Sequence, residues 1–260
     1  MNPVDKRRVG RAFSRAAGRY EEHDAVQARV RARVLASLPT GARRVLDVGA
    51  GTGALLARLA GRPGGASAPE LRLAAVDLAP GMCAAARRAV PAAAVAAGDA
   101  EALPFRAGAF DLVVSSSALQ WLPRLDDALL EVARVLAPGG TASIALFGER
   151  TLHELRAAWE ASGGPRRTHR FASRSDLAAA LERSGLSGDV AEEEVVPRYP
   201  DARSVLRSLK AIGAQGASPG TGGLAGRSAT HELLRRYDAL RDAEGVPATF
   251  HVLHAVAKKP

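Results

Sequence analysis

Apolar side chains recur three and four residues apart early in the chain, at Val26, Val30, Val34, Leu35 and Leu38, until Pro39-Thr40-Gly41 stops the pattern. That period predicts one helix over residues 10–38. Short apolar runs bounded by glycine come next. Arg44-Val45-Leu46-Asp47-Val48-Gly49 is rich in β-formers and, by its length and flanks, reads as a buried strand. Comparable runs stand at Leu71–Asp77, Ala93–Gly98, Phe110–Ser115 and Thr141–Phe147, with helical stretches between them at residues 54–60, 80–90 and 125–136. Strand alternating with helix predicts an α/β protein whose mostly parallel sheet is covered on both faces. Beyond Gly148, helices are expected at 151–161, 174–184, 201–212 and 229–243, and strands near 190–196 and 249–257. Glycine-rich stretches at Gly61–Pro69 and Gly213–Gly226 read as loops.

Composition narrows the class. The 260 residues are 47% hydrophobic and 24% charged, which argues against wholesale disorder. No run of 18 uncharged apolar residues exists and the first residues lead into charge, so a cytoplasmic location is expected and no membrane association. A single cysteine, Cys83, leaves no internal disulfide framework and no CxxC metal site. The six histidines lack the i, i+4 spacing of a metal pair on a helix, so no metal is expected. The net charge of +9 is uneven: residues 1–44 carry 11 basic and 4 acidic side chains, whereas residues 45–140 carry 8 and 9. A cationic N-terminal arm points to an acidic partner, although arginine at 32 against 4 lysines also fits a GC-rich genome.

The densest chemistry is in Leu46-Asp47-Val48-Gly49-Ala50-Gly51-Thr52-Gly53, a strand entering a glycine turn and then a helix. Glycines there let a ligand approach the backbone without a Cβ in the way. The turn lacks the Gly-Lys-Ser/Thr of a phosphate-binding loop and the longer spacing of dinucleotide folds. Two more acids end the next strands, in Val76-Asp77-Leu78 and Gly98-Asp99-Ala100. An acid at the tip of the second strand can accept hydrogen bonds from both ribose hydroxyls of an adenosine ligand. Singly, Asp47 or Asp77 would pass for a turn or helix cap.

This set resembles the class I S-adenosylmethionine-dependent methyltransferases, with Asp111–Ser115 and Leu136-Ala137-Pro138-Gly139-Gly140 as the fourth strand and the turn before the fifth. The resemblance covers residues 43–147 and implies a seven-stranded Rossmann-like fold with an antiparallel last strand. It further implies that the Asp47–Gly53 loop lines the methionine part of S-adenosylmethionine, Asp77 the ribose, and Asp99 with Ala100 the adenine. The cofactor set so implied is Asp47, Gly49, Gly51, Gly53, Asp77, Leu78, Met82, Asp99, Ala100 and Ser115.

The segment after strand four narrows the acceptor. Ser115-Ser116-Ser117-Ala118-Leu119-Gln120-Trp121 is not the Asn/Asp-Pro-Pro-aromatic of amino-methylating nucleic-acid enzymes, and aromatic residues at 4% offer little for base stacking. Nucleic acid is therefore not the expected partner. Arg11–Ala17 with Tyr20-Glu21-Glu22-His23, Leu119–Leu122, Thr151–Leu155, Arg170-Phe171, Arg207–Ala214 and Ala248–His251 resemble the malonyl-acyl-carrier-protein O-methyltransferases of biotin synthesis, the BioC family. Ala172 departs from the aromatic or apolar residue expected there, and Phe250 stands where a tyrosine is usual. The resemblance implies methylation of the free carboxylate of a malonyl thioester, on acyl carrier protein or on coenzyme A, to start pimeloyl and biotin synthesis. It also implies a helical N-terminal lid (1–42), a core (43–148), a helical stretch covering the substrate (149–244) and a final core strand (245–260).

A malonyl carboxylate with a pKa near ~4 is already ionised at neutral pH, so no general base is required. Recognition of its charge is expected from Arg170, Arg207 or Lys210, with Arg170 preferred, and positioning from Gln120, Trp121, Tyr20 and His23. Two rivals stay open at this point: a methyltransferase for another small acid or a quinone ring, and a basic nucleic-acid-binding protein that holds S-adenosylmethionine.

Overall fold

The computed structural model describes residues 5–61, 71–163, 170–212 and 227–260, the side chains of Arg227 and Ser228 excepted. Most of both expected glycine loops, together with His169 and the Gly213-Ala214 end of the last motif, lies outside these residues.

Seven strands form one sheet in the order β3-β2-β1-β4-β5-β9-β6. They are β1 (Arg44–Val48), β2 (Arg72–Asp77), β3 (Ala94–Ala97), β4 (Phe110–Ser116), β5 (Leu136–Phe147), β6 (Ser187–Val195) and β9 (Phe250–Lys258). The first five run parallel, and β9 is inserted antiparallel between β5 and β6. Because successive side chains in a strand face opposite ways, a strand covered on both faces is apolar at nearly every position. Val45 packs into one core with Leu112 and Val114, whereas Leu46 packs into the other with Val113 and Ile144. Helices α2 (Ala25–Ala36), α3 (Ala54–Ala60), α8 (Ala202–Ala211) and α9 (Arg227–Asp238) feed the first core; α5 (Leu125–Val135) and α7 (Arg174–Arg183) feed the second.

Three differences from the sequence-based expectation bear on the site. The expected helix over 10–38 is broken into α1 (Lys6–Ala16), a 3₁₀ turn (Ala17–Glu22) and α2. Asp5 caps α1, Gly18 weakens a continuous helix, and Asp24 is buried in an ion pair with Arg31 at 2.8 Å. The break turns Tyr20 towards the sheet's C-terminal edge, where it lines a cavity. Secondly, β5 begins at Leu136, not Thr141, because Gly139 at φ +73° lets the chain bulge and rejoin β4 with a shifted register. Thirdly, the stretch 149–244 is not only cover: β6 completes the sheet from within it, and α7 packs into the core on one face. A two-stranded ribbon of β7 (Arg198–Tyr199) and β8 (Val246–Pro247) also had no clear sequence signal. Among the described residues no helix is long and apolar enough to cross a membrane.

Candidate active site

The strand order reverses between β1 and β4, and at such a switch point the loops part to leave a crevice. A cleft of about 1020 Å³ opens there, walled by Asp47, Gly49, Gly51, Asp77, Leu78, Met82, Asp99 and Ala100 from the sheet side. Lys6, Phe13, Tyr20, Gln27 and Arg31 close it from the N-terminal helices. The N-terminal helices seat closely because a glycine removes bulk. A Cβ on Gly81 would sit 2.7 Å from the Ser14 carbonyl oxygen, and Gly81 N–H donates to Ser14 Oγ at 3.2 Å. Polar ties complete the closure: Lys6 Nζ donates to Asp99 at 2.6 Å and also to Glu101, and Thr52 Oγ1 donates to Glu21 at 2.7 Å.

The glycine turn serves three purposes. Gly49 at φ +73° passes Ala118 so closely that a Cβ would lie 2.2 Å from the alanine methyl. Gly51 at φ +57° has open space where its Cβ would stand. Gly53 does not line the cleft; its Cβ would press on Ala86 at 3.0 Å, so it brings α3 onto α4 (Pro80–Ala89). Ser115 does not face the cleft either, because its buried hydroxyl donates to the Val48 carbonyl at 2.8 Å and ties β4 to β1.

Electrostatics sort the acids. Asp77 is half-buried, and its two oxygens accept the Gly51 and Ala79 N–H groups at 2.9 and 2.8 Å. Burial raises its pKa while those two bonds oppose the rise. Asp47 has one carboxylate oxygen with no hydrogen-bond partner. Burial and the nearby Asp77 charge push it up to about 7, against the pull of Arg31. A buried carboxylate whose pKa is pushed up in this way is poised to ionise against a cation. A ligand with a cationic end at Asp47 and sugar hydroxyls at Asp77 would fit these groups. Asp99, whose carboxylate meets Lys6, stands farther along the same wall.

A second cavity of about 380 Å³ shares Phe13, Tyr20, Gln27, Ser117 and Trp121 with the cleft. Its remaining lining is Gln120, Phe147, Thr151, Leu152, Phe171, Leu209, Ile212 and Phe250. The rings of Trp121 and Phe171 meet at 6.1 Å and those of Phe147 and Phe250 at 5.4 Å, giving the chamber aromatic walls. Glu154 of α6 (His153–Ala161) anchors its back by accepting from the Thr249 N–H and hydroxyl.

The expected cations are elsewhere. Arg207 and Lys210 lie on the solvent face of α8 with Arg203, while the opposite face of that helix supplies Leu209 to the chamber. The apolar period of α8 forces this, since Ala202, Val205 and Leu209 take the buried positions. Arg170 borders a separate outer groove with Leu122, Pro123 and Asp176, behind Gln120 and Phe171. His23 ends the 3₁₀ turn, exposed, and touches neither cavity. Lys6, Gln27, Arg31 and Ser117 were not singled out from the sequence. Gln27 and Arg31 follow the apolar Val26 and Val30 by one residue each, four apart, a spacing that puts both on one helix side.

Comparison with known proteins agrees with this geometry. Residues 46–144 match the family model of a methyltransferase domain. Solved structures with the same fold include the YcgJ protein of Bacillus subtilis (TM-score 0.60, 18% identity, 88% of this chain and 96% of that one). Another is a SAM-dependent methyltransferase of Thermotoga maritima (TM-score 0.56, 19% identity, 97% and 100%). Fold and domain match together define a class I methyltransferase. A malonyl-[acyl-carrier protein] O-methyltransferase of Geobacter sulfurreducens is 45% identical over 98% of this chain and 100% of its own length. A biotin biosynthesis bifunctional protein of Cellvibrio japonicus is 37% identical over 99% of this chain and 51% of its length. The chain belongs to the malonyl-[acyl-carrier protein] O-methyltransferase family.

Proposed function

We propose that this enzyme transfers the methyl group of S-adenosylmethionine to the free carboxylate of a malonyl thioester on acyl carrier protein, yielding the malonyl methyl ester that starts pimeloyl and biotin synthesis. The observation that carries the reading is the union of two cavities, one edged by the acids of three strand tips and one aromatic, with a common wall. The substrate named for the relatives supports it.

In this reading the segment 1–42 acts as the lid. Asp47 faces the cationic end of S-adenosylmethionine, Arg31 its carboxylate, Asp77 the ribose, and Asp99 with Ala100 the adenine. An acceptor-oxygen lone pair forms the new O–CH₃ bond as the S–CH₃ bond breaks, and the released pair stays on sulfur. No proton moves, because the malonyl acid is already ionised at neutral pH. The protein's part is to align donor and acceptor at about 3–3.5 Å and to keep water out, for which the aromatic walls and seated lid are suited.

The exposed Arg203, Arg207 and Lys210 stripe stands on the helix that floors the acceptor chamber. Its charge suits an acidic carrier protein, which it would steer at long range. Replacing all three with alanine should lower kcat/KM on malonyl carrier protein by about tenfold at low salt, fading as salt screens the encounter. Malonyl coenzyme A should be nearly unaffected; equal losses on both substrates would remove the stripe from docking. Asp77→Ala should weaken S-adenosylmethionine binding by ~1.5–3 kcal/mol, read by calorimetry. The reading itself is tested by labelled S-adenosylmethionine with malonyl carrier protein, malonyl coenzyme A and free malonate side by side. Label passing to none of the three would end it.

A further inference from the structure

We infer that Gln27 and Ser117 orient the acceptor's terminal carboxylate through neutral hydrogen bonds, an assignment that rests on the methyl-transfer reading and deepens it. Both residues belong to the wall shared by the two cavities, where the donor methyl group and the acceptor oxygen must meet. Gln27 is 95% buried in α2, and among the described residues its amide makes no hydrogen bond. Ser117 Oγ is buried without a partner. Polar groups so placed are ordinarily satisfied, and two unsatisfied donors on one wall point to a ligand that satisfies them.

The backbone around Ser117 supports the same conclusion. It holds φ +55°, a left-handed conformation that is uncommon for a residue with a Cβ. Its N–H donates to the Ala145 carbonyl at 2.8 Å, and its carbonyl accepts from Gln120 Nε2 at 2.7 Å. Both main-chain groups are thereby pinned, which fixes Ser117 on the wall that the two cavities share. Strain kept in this way tends to occur where side-chain direction matters.

Neutral donors also suit the reaction better than a guanidinium would. An arginine fork takes both carboxylate oxygens at once, which lowers the nucleophilicity that the transfer needs. It would then face a neutral ester with its own charge uncompensated. One N–H and one O–H can hold one oxygen, leave the other directed at the methyl group, and still pair with the ester carbonyl afterwards. The chamber's lining carries no charged side chain among the described residues. Tyr20, on the same wall, keeps its proton because burial raises its pKa.

The test compares binding of malonyl carrier protein with that of its methyl ester at saturating S-adenosylhomocysteine. Docking of the carrier is common to both forms and cancels in the ratio. The wild-type protein should prefer the acid, and Gln27→Leu or Ser117→Ala should each cut that preference by tenfold or more. Ser117→Gly relieves the left-handed backbone yet lacks the hydroxyl, so it should behave as Ser117→Ala does; a wild-type ratio in Ser117→Gly would make the role purely conformational. A wild-type protein without acid preference would overturn the assignment, as would an unchanged ratio in both the Gln27→Leu and Ser117→Ala variants. Loss of the ratio in Arg170→Ala, with Gln27→Leu and Ser117→Ala unaffected, would return the carboxylate to an arginine. Failure of the broader reading is separate: the wild-type enzyme would then transfer no label to malonyl carrier protein.

Discussion

Asp47→Asn should weaken S-adenosylmethionine binding by about 3–5 kcal/mol, the usual cost of removing one member of a buried charge pair. It should at the same time make the ligand-free protein more stable. The folded pKa of Asp47, about 7, lies above its ordinary value of 3.8, so folding disfavours the ionised form. Below pH ~4 the group is protonated in both states and costs nothing; between pH ~4 and ~7 stability falls as the unfolded chain ionises first. Above pH ~7 the penalty is complete, at most ~4 kcal/mol, and the asparagine variant escapes it. Binding of the ligand's cationic end should ionise the wild-type carboxylate, so affinity should drop by up to about tenfold per pH unit below ~7. Calorimetry at pH ~6, a unit below that titration, in two buffers of different ionisation enthalpy would show nearly one proton released by wild type and none by the variant. Equal proton release in both would take Asp47 out of contact with the ligand's charge.

Gly49→Ala should cost about 2–5 kcal/mol in unfolding free energy, the sum of two effects. The left-handed backbone contributes about 1–2 kcal/mol for any residue with a Cβ. The new methyl, 2.2 Å from the Ala118 methyl, adds an overpacking term of about 1–3 kcal/mol. Gly51→Ala separates the two, because at φ +57° it meets nothing within 4 Å and should carry only the backbone cost. Adding Ala118→Gly to Gly49→Ala should recover the steric part and leave the conformational part, a coupling readable by a double-mutant cycle in urea. No recovery would mean that the turn and the strand-four loop are not in the contact described. Since Ala118 comes directly after Ser117, the single Gly49→Ala variant should also lose methyl transfer beyond its loss of stability.

Elements whose residues depend on near neighbours were legible in the chain. β1 to β4, the helices between them and the acid-tipped glycine turn are written in apolar runs, glycine spacing and strand-end acids, which act over a few residues. Elements that depend on distant partners were not. The bulged start of β5 at Leu136 needs β4 beside it, and the β7–β8 ribbon pairs residues 198–199 with 246–247. The broken N-terminal helix is a similar case: its apolar period continues, and the turn at Gly18–Glu22 makes sense only with both flanking helices packed against the cleft.

For the site, the chain by itself determined the residue types that a cleft at the strand tips must present: Asp47, Gly49, Gly51, Asp77, Asp99 and Ala100 all stand on its wall. Their positions follow from strand ends, and a parallel sheet brings strand ends together whatever else the chain does. Only the tertiary structure decided the aromatic chamber beside it. Charge chemistry alone favoured Arg170, Arg207 and Lys210, but α8 must bury Val205 and Leu209, which turns two of these outward, and Arg170 falls in an outer groove. Gln27 and Ser117, unremarkable in sequence, acquire their character from being buried together on the wall between two cavities. A side chain's type is local, whereas its desolvation and its neighbours are set by packing across the whole fold, and those determine its chemistry.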